Sequence, residues 1–230
     1  MERGLIVRDY RSALQTATAP LHGEIDALFG AFDLGRRDGL TRFLMAQAIG
    51  MAACQPHTQR FGQAKLGCSP PDYGEVLKAD LAALGVHGEQ LPRLSLPGNF
   101  ESDWFENDWA GAGIFYVVAG SRMGAAVLRK RATALTPGGP AHSVCGYFAV
   151  GEGPAMWRLF REWLADSALR NGGLASEGPA NAAGGVPSGL AVMIGAATAT
   201  FQLFAAAAHL ATGQTLPPLS SIDAGTRSAA

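Results

Sequence analysis

The sequence is poor in charge and in cysteine. Charged residues make up only 16% of the chain against 48% hydrophobic residues, which excludes a disordered polypeptide. The 18 lysines and arginines do not exceed the 19 aspartates and glutamates, so the basic surface expected of a nucleic-acid-binding protein is missing. Cys54, Cys68 and Cys145 form no Cys-x-x-Cys pair, which argues against a cysteine zinc site and a disulfide framework. We expect reduced, packed thiols in a cytoplasmic protein.

Long apolar runs are also scarce. At the N-terminus, charges of both signs interrupt the chain, so we expect no secretory signal. Residues 185–213 contain no charged residue, and this segment exceeds the roughly 20 residues needed to cross a bilayer. It is rich in alanine, however, includes Thr198, Thr200 and His209, and has no flanking cluster of lysine and arginine. We predict a buried core helix here and no membrane span.

The hydrophobic pattern is helical. Apolar residues recur three and four positions apart almost throughout, with hardly any alternating β-branched run, which predicts an all-α bundle. We predict one domain over residues 9–212, between an N-terminal tail at 1–8 and a C-terminal tail at 213–230 that is disordered beyond Pro217. The predicted helices cover residues 9–32, 40–66, 72–84, 107–134, 144–148, 154–168 and 190–212.

Prolines and glycines punctuate this pattern. We expect Thr18 to cap a renewed start of the first helix, with Pro20 in its first turn. Pro56 is expected to bend the second helix, because proline removes an amide donor and clashes with the preceding turn. Segments 91–99 and 171–189, which contain prolines and few core residues, are predicted to be loops.

Two glycines interrupt the most apolar part of the 107–134 helix. Gly120 and Gly124 each cost about 1 kcal/mol relative to alanine in a helix. Close helix packing is one explanation for a pair of glycines four residues apart. A flat ligand is the other, because glycines one turn apart leave one face of the helix bare and let the backbone bend. A planar macrocycle could then lie against the helix, with Ser121 as the nearby polar group.

An iron-bearing macrocycle needs an axial ligand, and neutral imidazole is the usual one. The chain offers five candidates, which are His22, His57, His87, His142 and His209. Two of them, His87 and His142, fall in predicted loops, and His209 is expected to pack in the core of the last helix. That leaves His22 and His57 on helices.

His22 has a further feature in its favour. Asp26 follows one helical turn later, so its carboxylate could accept the imidazole N–H that is not used for iron. The same spacing is also typical of an ordinary pair on a helix surface. Beyond the glycines, Arg129, Lys130 and Arg131 could form a basic rim for a ligand with carboxylate arms, or could be a solvated helix end.

Several stretches match the pattern of one protein family. The first helix, from Leu14 to Asp26 with His22 inside it, resembles the family's proximal helix, and 80–85 resembles its Asp-Leu-x-x-Leu-Gly motif. Residues 116–124 resemble its distal helix and are the most specific match. The pattern continues through Tyr147-Phe148, Gly151, 157–160 and 196–201. The family is that of the bacterial heme oxygenases, especially the biliverdin-forming type associated with bacteriophytochromes.

This resemblance implies a heme-oxygenase-like bundle that holds heme b, both cofactor and substrate, between the proximal helix and a kinked distal helix. It implies that His22 is the iron ligand, with Asp26 as its partner. The residues implied to act on heme or to bind it are Tyr116, Gly120, Ser121 and Gly124, with Arg129 and Arg131 as candidate contacts for the propionates.

The implied reaction uses O2 and electrons from a ferredoxin or a reductase, and it yields biliverdin, CO and ferrous iron. A bacteriophytochrome would be a possible recipient of the biliverdin. Three departures from the family pattern favour an alternative, a heme-binding or heme-shuttling protein of the same fold that does not turn heme over. They are Ala119 in place of glutamate, His57-Thr58 in place of Leu-Glu, and 208–210 in place of a tryptophan-containing end. A thiaminase-like enzyme is a second alternative.

Overall fold

The structure of the chain is a computed structural model. The structure describes residues 10–87, 91–94, 107–135, 144, 146–170 and 189–213. Throughout these residues the regular structure is helical, as predicted. The helices are α1 (Tyr10–Gly30), α2 (Arg37–Phe61) with a π-helical turn after it (Gly62–Leu66), α3 (Tyr73–Ala83), α4 (Asp108–Arg122), α5 (Ala125–Leu135), α6 (Gly146–Ala149), α7 (Gly153–Arg170) and α8 (Gly189–Thr212).

The predicted 107–134 helix is broken in two. α4 ends at Arg122, and α5 begins at Ala125 after a tight turn through Met123 and Gly124. In this turn the Met123 amide donates to the Gly120 carbonyl at 3.1 Å, and the Gly124 amide donates to Ser121 at 3.3 Å. These bonds span three residues instead of four, which tightens the helix end. The expected kink of the distal helix is therefore present, and it lies at the second glycine.

One expectation about the prolines is corrected. Thr18 does not cap a new helix, because α1 runs unbroken through Pro20 and the Thr18 hydroxyl donates to the Leu14 carbonyl at 2.8 Å. Pro56 lies inside α2, which is continuous from Arg37 to Phe61, and the bend expected at this proline stays a prediction. The α-helical pattern of this segment changes only at the π-helical turn, which ends at Gly67 with a left-handed φ of 62°. Side-chain capping is seen at Asp72, which accepts from the Glu75 amide.

α8 is the central helix of the bundle. It packs on α1, α2 and α4 and contributes a buried face of alanines together with Met193, Phe201 and Phe204. α8 and the stretch Asp108–Thr133 are each apolar and long enough to span a membrane, but more than half of each window is buried within the protein (61% and 56%). Burial on this scale is what a core helix shows, as the sequence predicted for α8.

The described cysteines are packed thiols. Cys54 is fully buried, and burial raises the pKa of its thiol to about 12. Cys68 is partly buried, and its pKa is raised for the same reason. Both are therefore protonated at neutral pH and poorly nucleophilic. Several expectations concern parts of the chain outside the described residues, namely the two tails, most of the 91–99 loop, the 171–189 loop except its last residue, His142 and Cys145.

Candidate functional site

A cavity of about 620 Å³ opens between α1 and the α4–α5 kink, with α2, α6, α7 and α8 completing its wall. Its lining is dominated by apolar and aromatic side chains, and a volume of several hundred Å³ is usual for small-molecule sites. Six of the residues singled out from the sequence line this one cavity. They are His22, Asp26, Tyr116, Gly120, Ser121 and Gly124.

His22 and Asp26 are paired as the sequence suggested. The imidazole Nδ1 lies 3.0 Å from Asp26 Oδ2, one turn along α1. In a neutral imidazole, a proton on Nδ1 would face this carboxylate, and the lone pair would then lie on Nε2, where a metal could use it. The imidazole is 60% exposed, and its ring centroid lies 5.8 Å from that of Phe201. The His22 imidazole therefore borders the cavity with its Nδ1 beside a carboxylate.

The surroundings of Gly120 and Gly124 bear on the close-packing explanation. A methyl group added at Gly124 would meet only the Ser121 carbonyl oxygen near the end of α4, 3.7 Å away. One added at Gly120 would meet Trp157 ring carbons no nearer than 3.7 Å. Both are ordinary contacts, so close helix packing does not require glycine at either position. Gly113 is the contrast, because a methyl group there would lie 2.2 Å from the Met193 carbonyl oxygen. Gly120 and Gly124 both line the cavity, and neither is required to be glycine by its contacts within the protein.

Two polar side chains of α4 border this open face. The Ser121 hydroxyl donates to the Val118 carbonyl at 2.7 Å, so its proton is engaged with the backbone and its oxygen remains an acceptor. The Tyr116 ring is half-buried against Trp157, with 5.7 Å between the ring centroids. Ser121 thus offers the cavity an acceptor more readily than a donor.

The basic residues lie differently from the sequence prediction. Arg129, Lys130 and Arg131 are exposed on α5, and none of them lines the cavity. The prediction extended one helix face from Gly120 to Arg131, whereas the kink turns α5 onto a new course. The arginines that line the cavity are Arg11 of α1, which is exposed, and Arg122 at the end of α4, which is buried.

Sequence reasoning missed four residues that bear on the wall of the cavity. Arg122 donates to the Tyr147 carbonyl, and its guanidinium carbon lies 4.2 Å from the centre of the Tyr147 ring. Asp80 accepts from the amide of Tyr147 at 2.8 Å, and the Tyr147 hydroxyl donates to Gln47 Oε1 at 2.7 Å. Asp80 and Tyr147 stood in recognisable motifs, but nothing in the sequence showed that they meet.

The residues that depart from the family pattern lie away from the cavity. Ala119 is buried on α4, His57 is half-buried on α2, and neither is part of the lining. His209 is also outside the lining, and it is half-buried instead of fully packed as predicted. Within the described ranges, no three His, Cys, Asp or Glu side chains converge as they would around a protein-held metal ion.

Comparison with known proteins gives one informative result. No protein-family model matches the sequence, and no curated protein is significantly similar to it. A solved structure, the NO- and CO-bound heme oxygenase from Neisseria meningitidis, is similar with a TM-score of 0.61 and 19% sequence identity. The alignment covers 90% of this chain and 94% of that chain. The chain has the all-α heme-oxygenase fold.

Proposed function

We propose that the protein is a heme oxygenase that cleaves heme with O2 and external electrons to biliverdin, CO and ferrous iron. The observation that carries the proposal is the pairing of His22 with a bare glycine face in one apolar cavity. Neither glycine is explained by packing within the protein, and a flat macrocycle is the kind of ligand that needs such a face. The likeness in fold to the Neisseria heme oxygenase supports the same reading.

The residues present fit heme. His22 would hold the iron through Nε2, and Asp26, 3.0 Å from Nδ1, would accept the other imidazole N–H and orient the ring. The aromatic side chains Phe29, Phe43 and Phe148 would cover the apolar macrocycle. A heme iron held by one neutral imidazole keeps a coordination position open to O2, which supplies the oxidising chemistry of the reaction.

The glycine face would select the position of cleavage. With no side chain at Gly120 or Gly124, the α4 backbone can approach the macrocycle closely and restrict the space on that side. A steric wall of this kind would leave one edge of the ring accessible to oxidation. Ser121 would help by accepting a hydrogen bond from a water molecule held there.

The carboxylate arms of heme need cations near the cavity. Arg11 lines the cavity and is the exposed basic side chain best placed for this contact. Arg129 and Arg131 remain sequence-based candidates for a ligand that projects beyond the kink. Tyr116, at the cavity wall, could donate its phenolic hydrogen to a carboxylate.

The partners follow from this chemistry. The electrons would come from a ferredoxin or a reductase, the protein would act in the cytoplasm, and a bacteriophytochrome would be a consumer of the biliverdin. A heme carrier of the same fold is a second candidate, because His22 is 60% exposed and a carrier must release its ligand. The open wall at Gly120 and Gly124 favours the enzyme, since transport alone does not call for a backbone approach to one edge of the ring.

The test is a hemin titration of the purified protein and of His22→Ala, followed by ascorbate in air with catalase present. We expect a one-to-one complex whose Soret band is altered in the variant, and a bilin spectrum in the wild type. A complex that is reduced without forming bilin would indicate a carrier. Absence of hemin binding would remove both heme functions.

A further inference from the structure

Tyr147 is fixed through every polar group that it has. Its amide donates to Asp80 Oδ2 at 2.8 Å, and its carbonyl accepts from the buried Arg122 guanidinium. Asp80 also accepts from the neighbouring Gly146 amide at 3.1 Å. A methyl group added at Gly146 would lie only 2.9 Å from Asp80, so glycine permits this close approach. One carboxylate and one guanidinium thus hold α6 from two sides.

The Tyr147 ring is held as firmly as its backbone. The Arg122 guanidinium carbon lies 4.2 Å from the centre of this ring and 5.0 Å from the centre of the Tyr73 ring. Contacts of this type add to the hydrogen bond and exclude water. Burial raises the pKa of the Tyr147 phenol, so the hydroxyl keeps its proton at neutral pH and can act as a donor.

The group that accepts the hydrogen bond from the Tyr147 hydroxyl lies at the cavity. The Tyr147 hydroxyl donates to Gln47 Oε1 at 2.7 Å, and Gln47 itself lines the cavity one turn after Phe43 on α2. A carboxamide has one acceptor atom, the oxygen, and one donor group, the NH2. Both lie in the same plane and point in different directions. Since the oxygen is committed to Tyr147, the amide N–H groups are the part left to face the cavity.

We propose that Tyr147 is a positioning residue that turns the Gln47 carboxamide so that its N–H group donates to a small ligand bound in the cavity. Asp80 and Arg122 hold Tyr147 for this purpose. The proposal rests on the proposed heme site and deepens it. The Ser121 hydroxyl donates its hydrogen bond to the Val118 carbonyl, so another side chain must donate to a ligand in the cavity. Gln47 would supply the donor that Ser121 does not.

Fluoride binding to the ferric hemin complex tests this arrangement without turnover. Fluoride on ferric heme is strongly stabilised by a hydrogen-bond donor, and its charge-transfer band in the visible spectrum reports that bond. Gln47→Leu and Gln47→Glu both remove the N–H donor, so each should raise the fluoride dissociation constant about tenfold or more. Tyr147→Phe keeps the ring but frees the carboxamide to turn, and we expect a smaller rise together with a shifted band.

Gln59→Leu is the matched control, because Gln59 is half-buried on the same helix but does not line the cavity. It should leave the fluoride affinity unchanged. Unchanged affinity in both Gln47 variants would overturn the proposal, and so would loss in these variants without any effect of Tyr147→Phe. In either case hemin would still bind. A wild-type protein that binds no hemin would instead overturn the proposed function itself, and this inference with it.

Discussion

Gly113 and Gly120 lie seven residues apart on α4 and therefore on the same side of the helix, yet only Gly113 is needed for packing. A methyl group at Gly113 would overlap the α8 backbone at Met193, 2.2 Å away, whereas one at Gly120 would meet only ring carbons of Trp157 at 3.7 Å or more. One face of α4 thus packs against α8 at one level and borders the cavity two turns later.

This contrast predicts opposite effects of the same substitution. Gly120→Ala should raise the stability of the ligand-free protein by about 0.5–1 kcal/mol, because alanine is the better helix former and no clash arises. Its methyl group should also crowd the heme and raise the hemin dissociation constant about tenfold, as overpacking costs about 1–3 kcal/mol. Thermal unfolding and hemin titration measure the two effects.

The control is Gly113→Ala, which should destabilise the protein by about 1–3 kcal/mol through overpacking against α8. Hemin affinity of the folded fraction should then change little. A Gly120→Ala variant that is more stable and binds hemin as tightly as the wild type would show that heme does not need glycine at this position.

His22 should matter for the ligand and little for the fold. Because the imidazole is 60% exposed, His22→Ala should change the free energy of unfolding by no more than about 0.5 kcal/mol. The Soret band of its hemin complex should change, and added imidazole should restore the wild-type spectrum. Asp26→Ala should weaken hemin binding about tenfold, the usual effect of losing the partner of a metal-bound histidine. An unaltered spectrum in His22→Ala would mean that another group holds the iron.

The position of the cations leads to a third prediction. Arg11 lines the cavity, whereas Arg129 and Arg131 lie outside its lining. Arg11→Ala should therefore raise the hemin dissociation constant more than Arg129→Ala or Arg131→Ala, by about 1 kcal/mol or severalfold, as expected for one partly exposed ion pair. The difference should shrink at high salt. The reverse order among the variants would support the rim predicted from the sequence.

The start of α3 predicts a pH dependence of stability. Asp72 caps this helix, and hydrogen bonds from Gln55 and from the Glu75 amide lower the pKa of its carboxyl below the ordinary value of 3.8. A lowered pKa means that the stabilisation is present above pH 3.8 and is lost as the pH falls through the folded-state value. Asp72→Ala should cost about 1 kcal/mol near neutral pH.

Denaturant unfolding of both proteins between neutral pH and acid measures this loss. The difference between wild type and Asp72→Ala should narrow as the carboxyl is protonated. Asp72→Asn provides a control, since asparagine can cap the helix without a titrating group. The stability difference between Asp72→Asn and Asp72→Ala should therefore not narrow in acid. A difference that stays constant with pH would show that the charge of Asp72 contributes nothing.

Local patterns in the sequence predicted what depends on neighbouring residues. The helices lie close to their predicted bounds, and His22 meets Asp26 because four residues make one turn. The distal kink was predictable because Gly124 weakens the helix at that point. Thr18 was misread because a proline inside a helix was assumed to force a new start, whereas α1 accommodates Pro20.

Contacts between residues far apart in the chain could not be predicted from local sequence patterns. Gln47 and Tyr147 are 100 positions apart, and their hydrogen bond depends on how α2 and α6 dock. The prediction of a basic rim at Arg129 and Arg131 assumed one straight helix, whereas the turn at Met123 redirects α5. Helical spacing predicts that two residues share a face only when both lie on the same unbroken helix.

The most direct test of the heme oxygenase proposal is the CO released in a single turnover of the purified ferric hemin complex, with a ferredoxin–reductase pair as electron donor and catalase present to remove free peroxide. We expect about one CO and one biliverdin for each heme consumed, with no CO when O2 is excluded. A complex that accepts electrons and keeps its heme intact, with no CO, would contradict the proposed reaction and indicate a heme carrier.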